Sequence, residues 1–82
     1  MSTKPDIRFM EDIKIRFGRR LRELRLEKGW SQETLANLAE IDRTYIPGIE
    51  SGKRNVSIVI LEKLSRSFEI NISDLLGEID KE

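Results

Sequence analysis

Three short groups of residues carry side chains suited to a polyanion: Ser31-Gln32, Arg43-Thr44 and Lys53-Arg54-Asn55. A hydroxyl and an amide at a helix N-terminus lie beside free backbone N–H groups and the positive end of the helix dipole, which favours a phosphate. Arginine reads guanine N7 and O6 bidentately, and threonine meets either a hydrogen-bonding base edge or a thymine methyl. Lys53-Arg54-Asn55 follows on a polar loop, where a nucleic-acid backbone would pass. Positioning contacts thus flank a base-reading pair in the order that docking on duplex DNA requires.

Other chemistries lack their reagents. The 82 residues contain no cysteine and no histidine. Disulfides, thiolate metal sites, the commonest zinc ligand and the usual general base are therefore all missing. Carboxylates alternate with basic residues on helix faces and form no catalytic pair. The chain reads as a binding protein, not an enzyme, with no cofactor and no metal.

The elements that must hold these groups are helical. Ile13, Phe17, Leu21 and Leu24 recur at spacings of four, four and three, which predicts an amphipathic helix ended by Gly29 with Lys28 near its C-terminus. Ser31 caps a second helix with Leu35, Leu38 and Ala39 inward. Glu40-Ile41 turns the chain, and Asp42 caps a third helix from Arg43 to Ser51, closed by Gly52. Ser57 caps a fourth helix running to about Phe68. Ser73 caps a short fifth with Leu75 and Leu76 inside and Gly77 behind it. Five helices without strand-like alternation make an all-α, compact five-helix domain. Its expected limits are residues 11–77, between an N-terminal arm over 1–10 and an acidic flexible tail over 78–82. In the arm, Ile7, Phe9 and Met10 either extend the first helix or fold onto the core.

Two short helices joined by so tight a turn form a helix-turn-helix, whose second helix enters the major groove. The stretch "SQETLANLAEIDRTYIPGIESGKRNVS" resembles the Cro-like, or XRE, family of helix-turn-helix repressors. The pattern "IDRTYIxGIExGxRNxS" within it is similar to the controller proteins of bacterial restriction–modification systems. The resemblance spans residues 13–76 and implies the phage-repressor-like fold. It also implies that Ser31 and Gln32 hold phosphates, that Arg43, Thr44 and Tyr45 face base edges, and that Lys53, Arg54 and Asn55 grip the backbone. Arg25, late in the first helix, is implied to pair with Glu50, late in the third.

One departure stands out. Pro47-Gly48, the two poorest helix formers, occupy positions where relatives usually carry polar side chains. Proline as the fifth helical residue would leave the Arg43 carbonyl without its partner, at about 3 kcal/mol. Both residues lie opposite Ile46 and Ile49, on the side expected to face DNA. Gly48 would admit a close backbone approach to a base, and reading would concentrate on Arg43, Thr44 and Tyr45, with more left to DNA shape.

A single short helix reads too few base pairs, so the fold is expected to bind a (pseudo)palindromic operator as a homodimer, half-sites about 34–36 Å or multiples apart. Ile58-Val59-Ile60-Leu61 covers every side of a helix, and Leu61, Leu64 and Phe68 suffice for the core. Val59 is surplus and, with Val56, Ile70 or Ile72, would form an apolar dimer surface. The implied partners are duplex DNA, a second copy of the chain and RNA polymerase, with no membrane and no small-molecule ligand. The apolar runs are too short for a membrane span and residues 1–5 open nothing like a signal peptide, so a bacterial cytoplasmic location is expected.

Lysines and arginines number 15, as do aspartates and glutamates. Their distribution is uneven. Lys14, Arg16, Arg19, Arg20, Arg22, Arg25 and Lys28 face only Glu23 and Glu27, whereas residues 69–82 hold five acids against Lys81. A basic body with an acidic end is compatible with DNA at one face. A helical protein-interaction module that keeps this fold without binding DNA is the competing reading. It differs in lacking a steep salt dependence of DNA binding.

Overall fold

The computed structural model describes residues 11–80. They form five helices: α1 (Ile13–Glu27), α2 (Gln32–Ala39), α3 (Tyr45–Glu50), α4 (Ile58–Ser67) and α5 (Ile72–Leu76). The expectations for the arm, Ile7, Phe9 and Met10 included, lie outside the described residues.

Helix α1 starts where the Asp12 carboxylate accepts the Lys14 N–H, and it ends before Gly29, whose φ of 72° suits a residue without a Cβ. Of its predicted stripe, Phe17 and Leu21 are buried and Leu24 is half-buried, while Ile13 is left exposed. The Ser31 and Ser57 hydroxyls cap α2 and α4 by accepting the Thr34 and Ile60 N–H groups. Helix α5 is capped two residues earlier than expected. Asn71 accepts the Asp74 N–H, and Ser73, the predicted cap, instead donates its hydroxyl to Asn71 Oδ1.

The core joins all five helices through Phe17, Leu21, Leu35, Ala36, Ala39, Ile46, Ile49, Leu64, Phe68 and Leu75. Leu38, predicted inward, is exposed, and Ala36 takes its place. The face of α2 turned to α3 and α4 carries Leu35, Ala36 and Ala39, so Leu38 falls on the solvent side. Trp30 stacks on Phe68 with ring centroids 5.1 Å apart, tying the α1–α2 junction to the end of α4. The fold also continues past Gly77, because Ile79 packs against the core and its carbonyl accepts a hydrogen bond from Arg16. Arg20 does the same further up, donating to the Leu75 and Asp74 carbonyls at 3.1 and 2.8 Å. The basic side of α1 therefore grips the acidic end of the chain. That part of the arginine run serves the fold.

Helices α1 and α3 approach closely at Gly18. A Cβ built on Gly18 would lie 2.4 Å from the Ile49 carbonyl oxygen and 2.6 Å from that of Glu50. Glycine here lets the two backbones touch and sets how far α3 stands from the domain.

Candidate nucleic-acid interface

The chain between α2 and α3 is short and closed by hydrogen bonds. Glu40 caps α2 in the left-handed region at φ 58°, and the Ile41 N–H returns to the Ala36 carbonyl. Asp42 then accepts both the Thr44 N–H and the Thr44 hydroxyl, at 2.9 and 2.8 Å. These two bonds hold its carboxyl below the usual carboxylate range, the backbone bond contributing most.

Asp42 does its capping work through a turn, and α3 opens at Tyr45, not Arg43. This changes the account of Pro47. It is the third helical residue, not the fifth, so it falls among the first-turn positions whose N–H groups have no intrahelical partner. The interior-proline cost of about 3 kcal/mol is not incurred there. Pro47 trims the front of α3 instead of bending its middle.

Arg43 and Thr44 stand exposed on that turn. Arg43 meets Glu33 at 3.6 Å with both side chains largely in solvent, a pair worth at most about 1 kcal/mol and readily exchanged for another anion. Tyr45 is half-buried against the core, and its ring carries the Arg54 guanidinium 4.3 Å from the centroid. Arg54 also lies against Gly48: a Cβ there would meet its Nε at 3.4 Å. Gly48 is therefore flanked by the Arg54 side chain on the side where its Cβ would point. The Lys53 and Arg54 N–H groups both donate to the Gly48 carbonyl, which fixes the loop against the end of α3.

The residues expected to hold phosphates separate. The Ser31 hydroxyl is engaged in its cap and with Thr34 Oγ1. Gln32 donates to Glu50 Oε1 at 3.1 Å. Lys53 and Arg54 are exposed beside α3. Asn55 instead lines an apolar cleft of about 330 Å³ with Ile13, Phe17, Val56, Leu61 and Ile79, away from the other two.

Beneath the turn lies the Arg25–Glu50 pair. Arg25 Nε donates to Glu50 Oε2 at 2.6 Å and its Nη2 to Oε1 at 3.0 Å, while Nη1 donates to the Trp30 carbonyl at 2.7 Å. The bidentate bond to Glu50 raises the Arg25 pKa, so its charge is permanent. One carboxylate thus joins α1, the start of α2 and the end of α3, and the second helix is held rigidly to the first.

Of the residues expected at a dimer surface, Val56 and Ile70 pack on the core and Ile72 is half-buried. Val59 is 58% exposed and its neighbour Ile58 73%. Ile58 was overlooked in the spacing argument, although the unbroken apolar run 58–61 contains it.

A short helix held across another, with an exposed arginine and threonine at its start and cations at its end, defines a helix-turn-helix DNA-binding domain. The chain belongs to the helix-turn-helix (XRE) family of DNA-binding transcription regulators, whose family model, "Helix-turn-helix", matches residues 21–75. It is 54% identical to the control protein C.MunI of a Mycoplasma species over 74 residues, 89% of this chain and 100% of that one. The crystal structure of the restriction–modification controller protein C.AhdI from Aeromonas hydrophila superposes with a TM-score of 0.73 at 52% identity, covering 76% of this chain and 94% of that one. SinR, a master regulator for biofilm formation solved in complex with DNA, superposes at 0.69 with 35% identity over 74% of this chain and 98% of its own.

Proposed function

We propose that the protein is the controller of a restriction–modification system, a transcription regulator that binds a (pseudo)palindromic operator as a dimer. The observation that carries this is the single exposed face formed by Arg43, Thr44 and the Tyr45–Arg54 stack. Arg43 and Thr44 enter the major groove, with Arg54 beside them. Lys53 and the α2 N-terminus take the flanking phosphates. Gln32 takes part chiefly by orienting Glu50. The second protomer docks through the exposed Ile58–Val59 patch, which places two such faces on one side of the duplex. Where the operator adjoins a promoter, the bound dimer meets RNA polymerase. The controller role is supported by the likeness to C.MunI and C.AhdI.

The experiment is selection of bound duplexes from a random pool, followed by a salt titration on the selected sequence. A two-fold symmetric consensus is expected, with affinity falling steeply as salt rises. An asymmetric or absent consensus with flat salt dependence would instead favour a protein-interaction module.

A further inference from the structure

The basic residues of α1 can be sorted by what each already holds. Lys14 pairs with Asp12, Arg19 with Glu11, and Arg25 with Glu50. Arg16 and Arg20 bind carbonyls of the C-terminal segment, and Lys28 lies 6.0 Å from the centre of the Trp30 ring. Among the described residues of that helix, Arg22 is the cation left without a partner. It lines an open cleft of about 320 Å³ with Arg25, Gln32, Pro47, Glu50 and Ser51.

The charges in this cleft do not cancel. Arg25 and Glu50 neutralise one another, so Arg22 leaves a net positive charge and five unengaged N–H donors. The cleft opens between the first residue of α2 and the last residues of α3. On the DNA-binding reading, the backbone flanking the base-reading turn would pass this cleft. Gln32 keeps one amide proton free after its bond to Glu50. Guanidinium is the side chain whose fork matches a phosphate bidentately.

We propose that this cleft is a seat for a DNA backbone phosphate and that Arg22 is the residue that binds it. The seat rests on the DNA-binding reading above and adds to it a contact from the first helix. Arg22 sets affinity and register, not sequence preference.

The test compares wild type, Arg22→Ala and Arg22→Lys on the selected operator and on an unrelated duplex, across a series of salt concentrations. Arg22→Ala is expected to weaken both duplexes by the same factor. It should also lower the log–log salt slope by about 0.9 per bound protomer. Arg22→Lys should keep the slope, because the charge remains, while losing part of the affinity with the bidentate geometry. Thermal unfolding should not move. An unchanged slope in Arg22→Ala, or a loss confined to the operator, would overturn the seat while leaving the DNA-binding reading intact. A flat salt dependence in wild type would remove both.

Discussion

Gly18→Ala separates two effects that usually go together. In the middle of a 15-residue helix, alanine in place of glycine is worth up to about 1 kcal/mol of helix stability. At this position the new methyl would sit 2.4 Å from the Ile49 oxygen and 2.6 Å from the Glu50 oxygen. Both are backbone atoms, so no side-chain rotation relieves them. Reaching even 3.0 Å requires the end of α3 to retreat by about 0.6 Å, given the starting distance of 2.4 Å. Overpacking of this kind costs about 1–3 kcal/mol, leaving a net loss of roughly 0–2 kcal/mol, or up to about 15 °C in Tm for a domain of this size. Gly48→Ala is the internal control. Its Cβ would meet Arg54 no closer than 3.4 Å, so the helix-propensity gain should survive as a stabilisation of up to about 1 kcal/mol. Thermal denaturation and operator affinity are measured on both. Gly18→Ala should melt lower and bind DNA more weakly, because α3 and the Arg25–Glu50 bonds are displaced together. If it melts as high as Gly48→Ala and binds like wild type, the α1–α3 contact does not position the recognition helix.

Arg43→Ala should relax preference at one base position per half-site, whereas Lys53→Ala should weaken all duplexes alike and lower the salt slope by about 1; recovery of the same operator in a selection with Arg43→Ala would contradict the first assignment. Val59→Asp should shift the protein towards monomer in sedimentation without lowering its Tm, since Val59 is already 58% exposed; an unchanged dimer places the surface elsewhere. The Arg25 and Glu50 side chains are only 10% and 6% exposed, so Glu50→Ala or Arg25→Ala alone should cost about 3–5 kcal/mol in urea unfolding. The double variant should lose markedly less than the two single losses added together, and simple additivity would mean the pair is not coupled. Asp42 has a folded-state pKa below its ordinary 3.8, so its contribution is fully present above that value and lost as pH falls through the folded pKa. Wild type should accordingly lose more stability than Asp42→Asn as pH falls below 3.8, and parallel acid titrations of the two would count against the cap.

Much of the fold was legible because its signals are local. Ser31, Ser57 and the glycines after α1 and α3 mark helix ends through bonds made within a few residues, and Phe17, Leu21, Ile46 and Ile49 follow a spacing that burial alone explains. Asn71 displaced Ser73 because either can cap, and only the path of the preceding chain decides which carbonyl-to-amide geometry is met. Leu38 was expected inward and is exposed, while Ala36, which the spacing argument passed over, is buried: both positions border the stripe of Leu35 and Ala39, and only the packing of the neighbouring helices chooses between them.

For the candidate site, residue types and order were enough to mark an arginine and a threonine at the entry to α3, followed by a basic loop, although both were expected inside the helix and stand on the turn before it. Those are properties of chain chemistry and survive any arrangement of neighbours. What the sequence could not contain is which charges are already taken. The arginines of α1 are alike in type and evenly spread, yet Arg16 and Arg20 hold the chain's far end, Arg25 locks α3, and Arg22 remains free. Likewise Arg54 reaches Tyr45 and Gly48 only because the loop folds back on the Gly48 carbonyl, and Pro47 became harmless only because α3 begins two residues later than its cap suggests. Pairing between residues distant in the chain depends on how the helices are set against one another, and that is decided by the core and by the bare backbone of Gly18.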